Sequence, residues 1–172
     1  MSIISRLLGT QADPRDELRP LWFRVIELSR QPEYYARTGV ADTVDGRFDM
    51  VVNVLAITML RMESSSGLNR KSALLTELFV EDMDGQLRES GIGDVVVGKH
   101  MGRLMSALGG RLGALRSAIT RGDMERLEAA LERNVHWGAA PDPRGLAIKL
   151  RALYDDLATS SDEDLLAGRI AQ

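Results

Sequence analysis

Three observations predict an all-α fold. Apolar residues recur at spacings of three and four through most of the chain. Helix-start signals at Asp13-Pro14, Asp42-Thr43, Asp123 and Asp142-Pro143 punctuate it, and no stretch alternates convincingly between apolar and polar residues. At 172 residues the chain is long enough to bury a sizeable core and has the length of one domain. The expectation is a single compact bundle of about six to seven helices over 13–172. Residues 1–12 precede it as an arm or short amphipathic helix, with Ile3, Ile4, Leu7 and Leu8 on one face.

The first helix opens at Asp13-Pro14, with acids Asp16 and Glu17 at the positive end of its dipole. Leu18, Leu21, Trp22, Val25 and Ile26 form its buried stripe, and Pro32 bars continuation. Tyr34 and Tyr35 fall in the connection that follows. A second helix starts at Asp42 or Thr43. Its body, Phe48 to Met62, is apolar on most sides and reads as the central, buried helix. Ser64 to Asn69 is a polar loop. The third helix runs from about Lys71 to Glu89, and the fourth from Asp94 to about Ile119.

In the fourth helix Leu104, Met105 and Leu108 are expected in the core, while Lys99, Arg103 and Arg111 face solvent. Gly98 and Gly102 leave room for another helix to approach, and Gly109-Gly110 suggests a kink. Asp123 caps a fifth helix ending near Trp137-Gly138, and Asp142-Pro143 starts a sixth that reaches Leu157. Ser161 with Asp164 resembles a capping box for a short last helix.

Composition removes whole classes of chemistry. The chain has no cysteine, so disulfides and thiolate metal sites are excluded. The longest apolar run, Met50 to Met62, is interrupted by Asn53, Thr58 and Arg61 and is too short to span a bilayer. The N-terminus lacks a signal-peptide hydrophobic region. A net charge of −3 argues against wholesale nucleic-acid binding, and no DNA partner is expected. The charge is nevertheless segregated. Between Glu77 and Asp94 six acids face Arg88 alone, whereas Val95 to Gly122 carries Lys99, Arg103, Arg111, Arg116 and Arg121 with no acid. Either the two helices present complementary faces or the fourth offers a basic docking surface.

Two polar concentrations hold the candidate functional residues. In DTVDGRFD, Asp42 or Thr43 caps the helix and Gly46 follows. Arg47 opposes the helix dipole, so it needs a carboxylate partner from the third helix or from Asp49. In DMDGQLRESGIGDVVVGK, Asp82, Asp84 and Arg88 lead into a corner where Gly91 suits a left-handed helix stop. Gly93 and Asp94 then open the next helix. Arg47 or Arg88 is expected to find carboxylates among Asp82, Asp84, Glu89 and Asp94, which would bring the two segments together. Gly93 to Lys99 fits G-x-x-x-x-G-K, but His100 replaces the Ser/Thr that would ligate magnesium. Helical spacing precedes it, and three valines resist curling around a phosphate. A nucleotide site is not expected.

Catalytic arrangements are scarce. His100 and His136 are the only histidines, and neither has a Glu three residues before it, as a di-iron carboxylate bundle requires. Glu77, Glu81 and Asp84 share a helix face that reads as solvated. No cofactor, catalytic residue or metal is assigned.

DTVDGRFDM (Asp42 to Met50), followed at a helix-loop-helix distance by EDMDGQLRESGIGDVVVGK (Glu81 to Lys99), resembles the ubiquinol–cytochrome c chaperone family. The likeness spans about Arg15 to Ile119. Leu108-Gly109-Gly110-Arg111 departs from the family's usual aromatic pair before Gly-Arg, and Leu115 stands where a Tyr is usual. The resemblance implies an all-helical, non-enzymatic assembly chaperone that binds newly made cytochrome b. It also implies a small co-chaperone and a ribosome contact, as in mitochondrial members. Such a bacterial relative would work in the cytoplasm, peripherally on the inner membrane. A Met-rich surface would suit an apolar client. Two rivals stay open on the residues themselves: a small all-α enzyme using the acidic–glycine corner on a phosphorylated or prenylated substrate, and an RNA- or ribosome-binding adaptor using Lys99, Arg103, Arg111 and Arg116.

Overall fold

The longest apolar run of the chain, Met50 to Met62, lies at the centre of the molecule, and most of the other long helices are laid against it. The computed structural model describes residues 13–89 and 94–170, with side chains throughout except at 87–89 and 94–101. A 3-10 turn (Asp16–Leu18) leads into α1 (Arg19–Ser29), a one-turn α2 (Pro32–Ala36), α3 (Val44–Glu63) and α4 (Asn69–Glu89). There follow α5 (Asp94–Arg121), α6 (Met124–Asn134), α7 (Pro143–Thr159) and a one-turn α8 (Asp162–Leu166). Among the described residues, six long helices thus form the all-α bundle. α3 packs against α1, α4, α5 and α7, and the core is built around it. Trp22 meets Phe79 edge-on at 6.1 Å between ring centroids. Phe48 lies 6.4 Å from Phe79, so the start of α3 and the second half of α4 share one end of the bundle.

The caps follow local chemistry. Thr43, Asp123, Asp142 and Ser161 each accept a backbone N–H from three residues on, satisfying a donor that the helix itself leaves orphaned. In the last helix the Ser161 hydroxyl also donates to Asp164 Oδ2 at 2.7 Å, so the serine serves as both acceptor and donor.

Several boundaries differ from expectation. Asp13 accepts the Arg15 amide but opens a 3-10 turn, and the α-helix begins only at Arg19. Pro20 has no N–H for the Asp16 carbonyl, so regular α-bonding cannot start earlier. Tyr34 and Tyr35 sit in a helical turn rather than an open connection. α6 ends at Asn134, short of Trp137, because the chain turns extended at Val135. There it forms an antiparallel bridge between Val40 and Trp137, in which Ala41 N–H donates to the His136 carbonyl at 2.9 Å. Gly39 permits this approach: its φ is +75°, and a Cβ would lie 1.9 Å from the Ala140 carbonyl oxygen.

On α5, Leu108 is buried and Leu104 is half-buried, but Met105 is 44% exposed and so is not core. Among the described residues, an added Cβ at Gly102 would meet nothing within 4 Å, so no helix packs closely there. The helix is continuous through Gly109-Gly110.

Candidate functional site

DTVDGRFD forms the first turns of α3. The Thr43 hydroxyl caps Gly46 N–H at 3.2 Å. Gly46 is required because a Cβ there would sit 2.0 Å from the Ala41 carbonyl oxygen. Arg47 finds its carboxylate within its own segment: Nε donates to Asp42 Oδ1 at 2.6 Å. That hydrogen bond holds Asp42 below its usual range and raises Arg47. The expected pairing of Arg47 with the acids of α4 is therefore replaced by a local one. Geometry explains the exchange, because Asp42 lies just outside the helix while Arg47 is in its second turn, so no long reach is needed.

In the second block, Glu81 takes Arg15 at 2.9 Å and Asp82 accepts from Gln86 at 3.4 Å. Asp84 is half-buried. Gly91 and Gly93 lie outside the described residues, as do the side chains of Arg88, Asp94 and Lys99. The backbone from Asp94 onward is helical. Val95 to Val97 therefore belong to a helix, and the phosphate-wrapping loop that a G-x-x-x-x-G-K site needs is not built there.

One polar cluster sits against the central helix. Asp49 is buried in α3 and receives three contacts. Arg111 Nη2 donates to Oδ1 at 3.1 Å, the His136 backbone N–H donates to Oδ2 at 2.8 Å, and His136 Nδ1 lies 2.7 Å from Oδ2. The carboxylate thus orients the imidazole with Nδ1 as donor. Arg111 also donates through Nη1 to Asn53 Oδ1 at 3.0 Å and through Nη2 to the Asn134 carbonyl at 2.5 Å. Burial pulls the Arg111 guanidinium below its ordinary value, and Asp49 opposes that shift. Asn53 Nδ2 is buried and has no hydrogen-bond partner among the described residues.

This arrangement corrects the expectation that Arg111 faces solvent; its side chain is only 6% exposed. Two signals pointed to it. Arg111 falls between Leu108 and Leu115 at spacings of three and four, which places it on the buried stripe. Asp49 and Asn53 are four apart in a helix otherwise apolar on that side.

Of the five basic residues on α5, Arg111 pairs with Asp49 and Arg116 with Glu63 at 2.7 Å, so both complement α3. Arg103 and Arg121 are exposed. The described methionines expose little apolar surface, and the side chain of Met101 lies outside the described residues. Met50, Met59 and Met62 are buried, Met83 and Met124 are partly buried, and Met105 is the exposed methionine among the described residues. The other large exposed apolar residues are Phe23 at 65%, Val44 at 85% and Ile148 at 56%. Among the described residues no group of His, Asp and Glu is arranged to hold a metal ion, and no helix is long and apolar enough to cross a membrane.

Comparison with known proteins places this geometry in context. The model of a protein family described as Ubiquinol-cytochrome C chaperone matches residues 36–172. That span takes in both sequence blocks and every member of the Asp49–Arg111 cluster. The crystal structure of the Cbp3 homolog from Brucella abortus is similar, with 30% identity and a TM-score of 0.79. The likeness covers 99% of this chain and 96% of that one. No curated protein matches the chain by sequence.

Proposed function

The chain belongs to the ubiquinol-cytochrome C chaperone family, and on that premise we propose that it is a non-enzymatic assembly factor for the ubiquinol–cytochrome c reductase complex. In this reading it holds newly made cytochrome b until the subunit is matured. The observation that carries the reading is the family match over 36–172, in which the whole of α3, the α4–α5 pair and the buried Asp49–Arg111 cluster take part.

The structure supports a holding role through what it offers on its outside. Phe23, Val44, Met105 and Ile148 are large apolar side chains left in water, and the grooves between helices are open to solvent. Contact of this kind suits an apolar client better than a small substrate, which is usually enclosed. Work at the cytoplasmic face of the inner membrane, in peripheral contact, accords with this reading. The RNA-adaptor alternative loses two of its four arginine and lysine contacts, since Arg111 is turned inward and Arg116 is engaged by Glu63.

The test is an affinity pull-down from native membranes with nascent chains preserved. Cytochrome b should be enriched, and the same sample reports a small co-chaperone or ribosomal proteins. Recovery of other membrane proteins without cytochrome b, in cells assembling the complex normally, would reject this client.

A further inference from the structure

With Arg111 and Arg116 both engaged by α3, the described part of α5 carries no stripe of cations for a run of phosphates. What remains is local. A groove of about 350 Å³ between α5 and the end of α6 is lined by Arg103, Ser106, Ala107, Gly110, Arg111 and Asn134. Arg103 is exposed and takes part in no ion pair among the described residues. Arg111 reaches the same groove from beneath. Its hydrogen bonds use Nη1 and Nη2, and Nε makes none of them. Gly110 leaves the wall between them open, because a Cβ there would meet nothing within 4 Å.

We propose that this groove binds one carboxylate of an acidic peptide segment, seated between the Arg103 guanidinium and Arg111 Nε, with the Ser106 hydroxyl as a further donor. Two guanidiniums offset by the buried Asp49 leave about one net positive charge, which matches a single carboxylate. The planar fork of arginine suits that group in geometry as well. An RNA or an anionic bilayer gains affinity from many phosphates in register with many cations, and among the described residues this face lacks them. Because Arg111 is held by Asp49, Asn53 and the Asn134 carbonyl, its free edge is fixed before any partner arrives, which lowers the ordering cost of binding. The inference adds a partner chemistry to the chaperone reading but is separable from it, since its test needs only this protein and a peptide.

The full chain, labelled with ¹⁵N, is titrated with acetyl-Gly-Glu-Gly-Glu-Gly amide, with the glutamine version of that peptide, and with inorganic phosphate. The glutamate peptide should shift the amides of Ser106, Ala107, Gly110 and Asn134 and the Arg111 Nε–H. Arg103→Gln, which disturbs no structural contact, should weaken binding about tenfold, whereas Arg121→Gln should leave it unchanged. Equal shifts with the glutamine peptide, tighter binding of phosphate at the same amides, undiminished binding in Arg103→Gln, or no shifts at millimolar peptide would each overturn the proposal. A pull-down without cytochrome b beside intact peptide binding would reject the client and leave this site standing.

Discussion

Arg111 and Asp49, which lie 62 residues apart, form an ion pair in which both side chains are less than one-tenth exposed. The pair joins the middle of α5 to the second turn of α3. Through His136 and the Asn134 carbonyl it also anchors the chain where α6 gives way to the Val40–Trp137 bridge. Removing one member leaves the other charge buried. Arg111→Ala or Asp49→Ala should therefore lower the unfolding free energy in urea by about 3–5 kcal/mol. The double variant Asp49→Leu with Arg111→Met should recover much of that loss. Single variants with wild-type midpoints would show that water or another group replaces the partner.

Two sets of glycines should respond in opposite directions. Gly46→Ala forces a methyl against the Ala41 carbonyl and should cost on the order of 2 kcal/mol. At Gly109 and Gly113, which are exposed within α5, an added methyl meets nothing. Alanine at either should stabilise by about 1 kcal/mol through helix propensity. Thermal or urea midpoints decide both, and a destabilised Gly109→Ala would reveal a neighbour on that face.

Stability should fall in acid at one identifiable clamp. Arg61 donates from the end of α3 to the carbonyls of Leu157 and Ser160 and to Asp162. Asp162 is held below its ordinary value of 3.8, first by the Ser65 hydroxyl and then by Arg61. A depressed carboxylate contributes stability above its unfolded value and loses it as pH falls through the lowered folded one. The urea midpoints of wild type and Asp162→Asn should therefore differ most near neutrality and converge as pH falls past 3.8 and through the lowered folded value. A gap independent of pH would assign the difference to packing.

Nucleotide should not bind at Gly93 to Lys99. Millimolar ATP or GTP with magnesium should leave the melting temperature unchanged, because the residues after Asp94 are helical. A thermal shift abolished by Lys99→Ala would contradict the helical reading of that segment.

The class of fold and the caps were legible in the sequence because they depend on neighbours. Thr43, Asp123, Asp142 and Ser161 act on amides three residues away, and the body of α3, apolar on most sides, identifies the central helix by itself. The family resemblance lay in two blocks, one forming the first turns of α3 and the other running from the end of α4 into α5. Tertiary structure alone decided which charges meet. Arg111 is turned toward α3, Arg116 is engaged by Glu63, and Met105 is left in water although its spacing suits a core. Helical periodicity gives each face an angular range but does not state which neighbour covers it, or how far along the helix that neighbour extends. The direction of Arg111 follows only when α3 and the end of α6 converge on the same turn of α5, bringing a carboxylate, an amide and a carbonyl together from positions far apart in the chain.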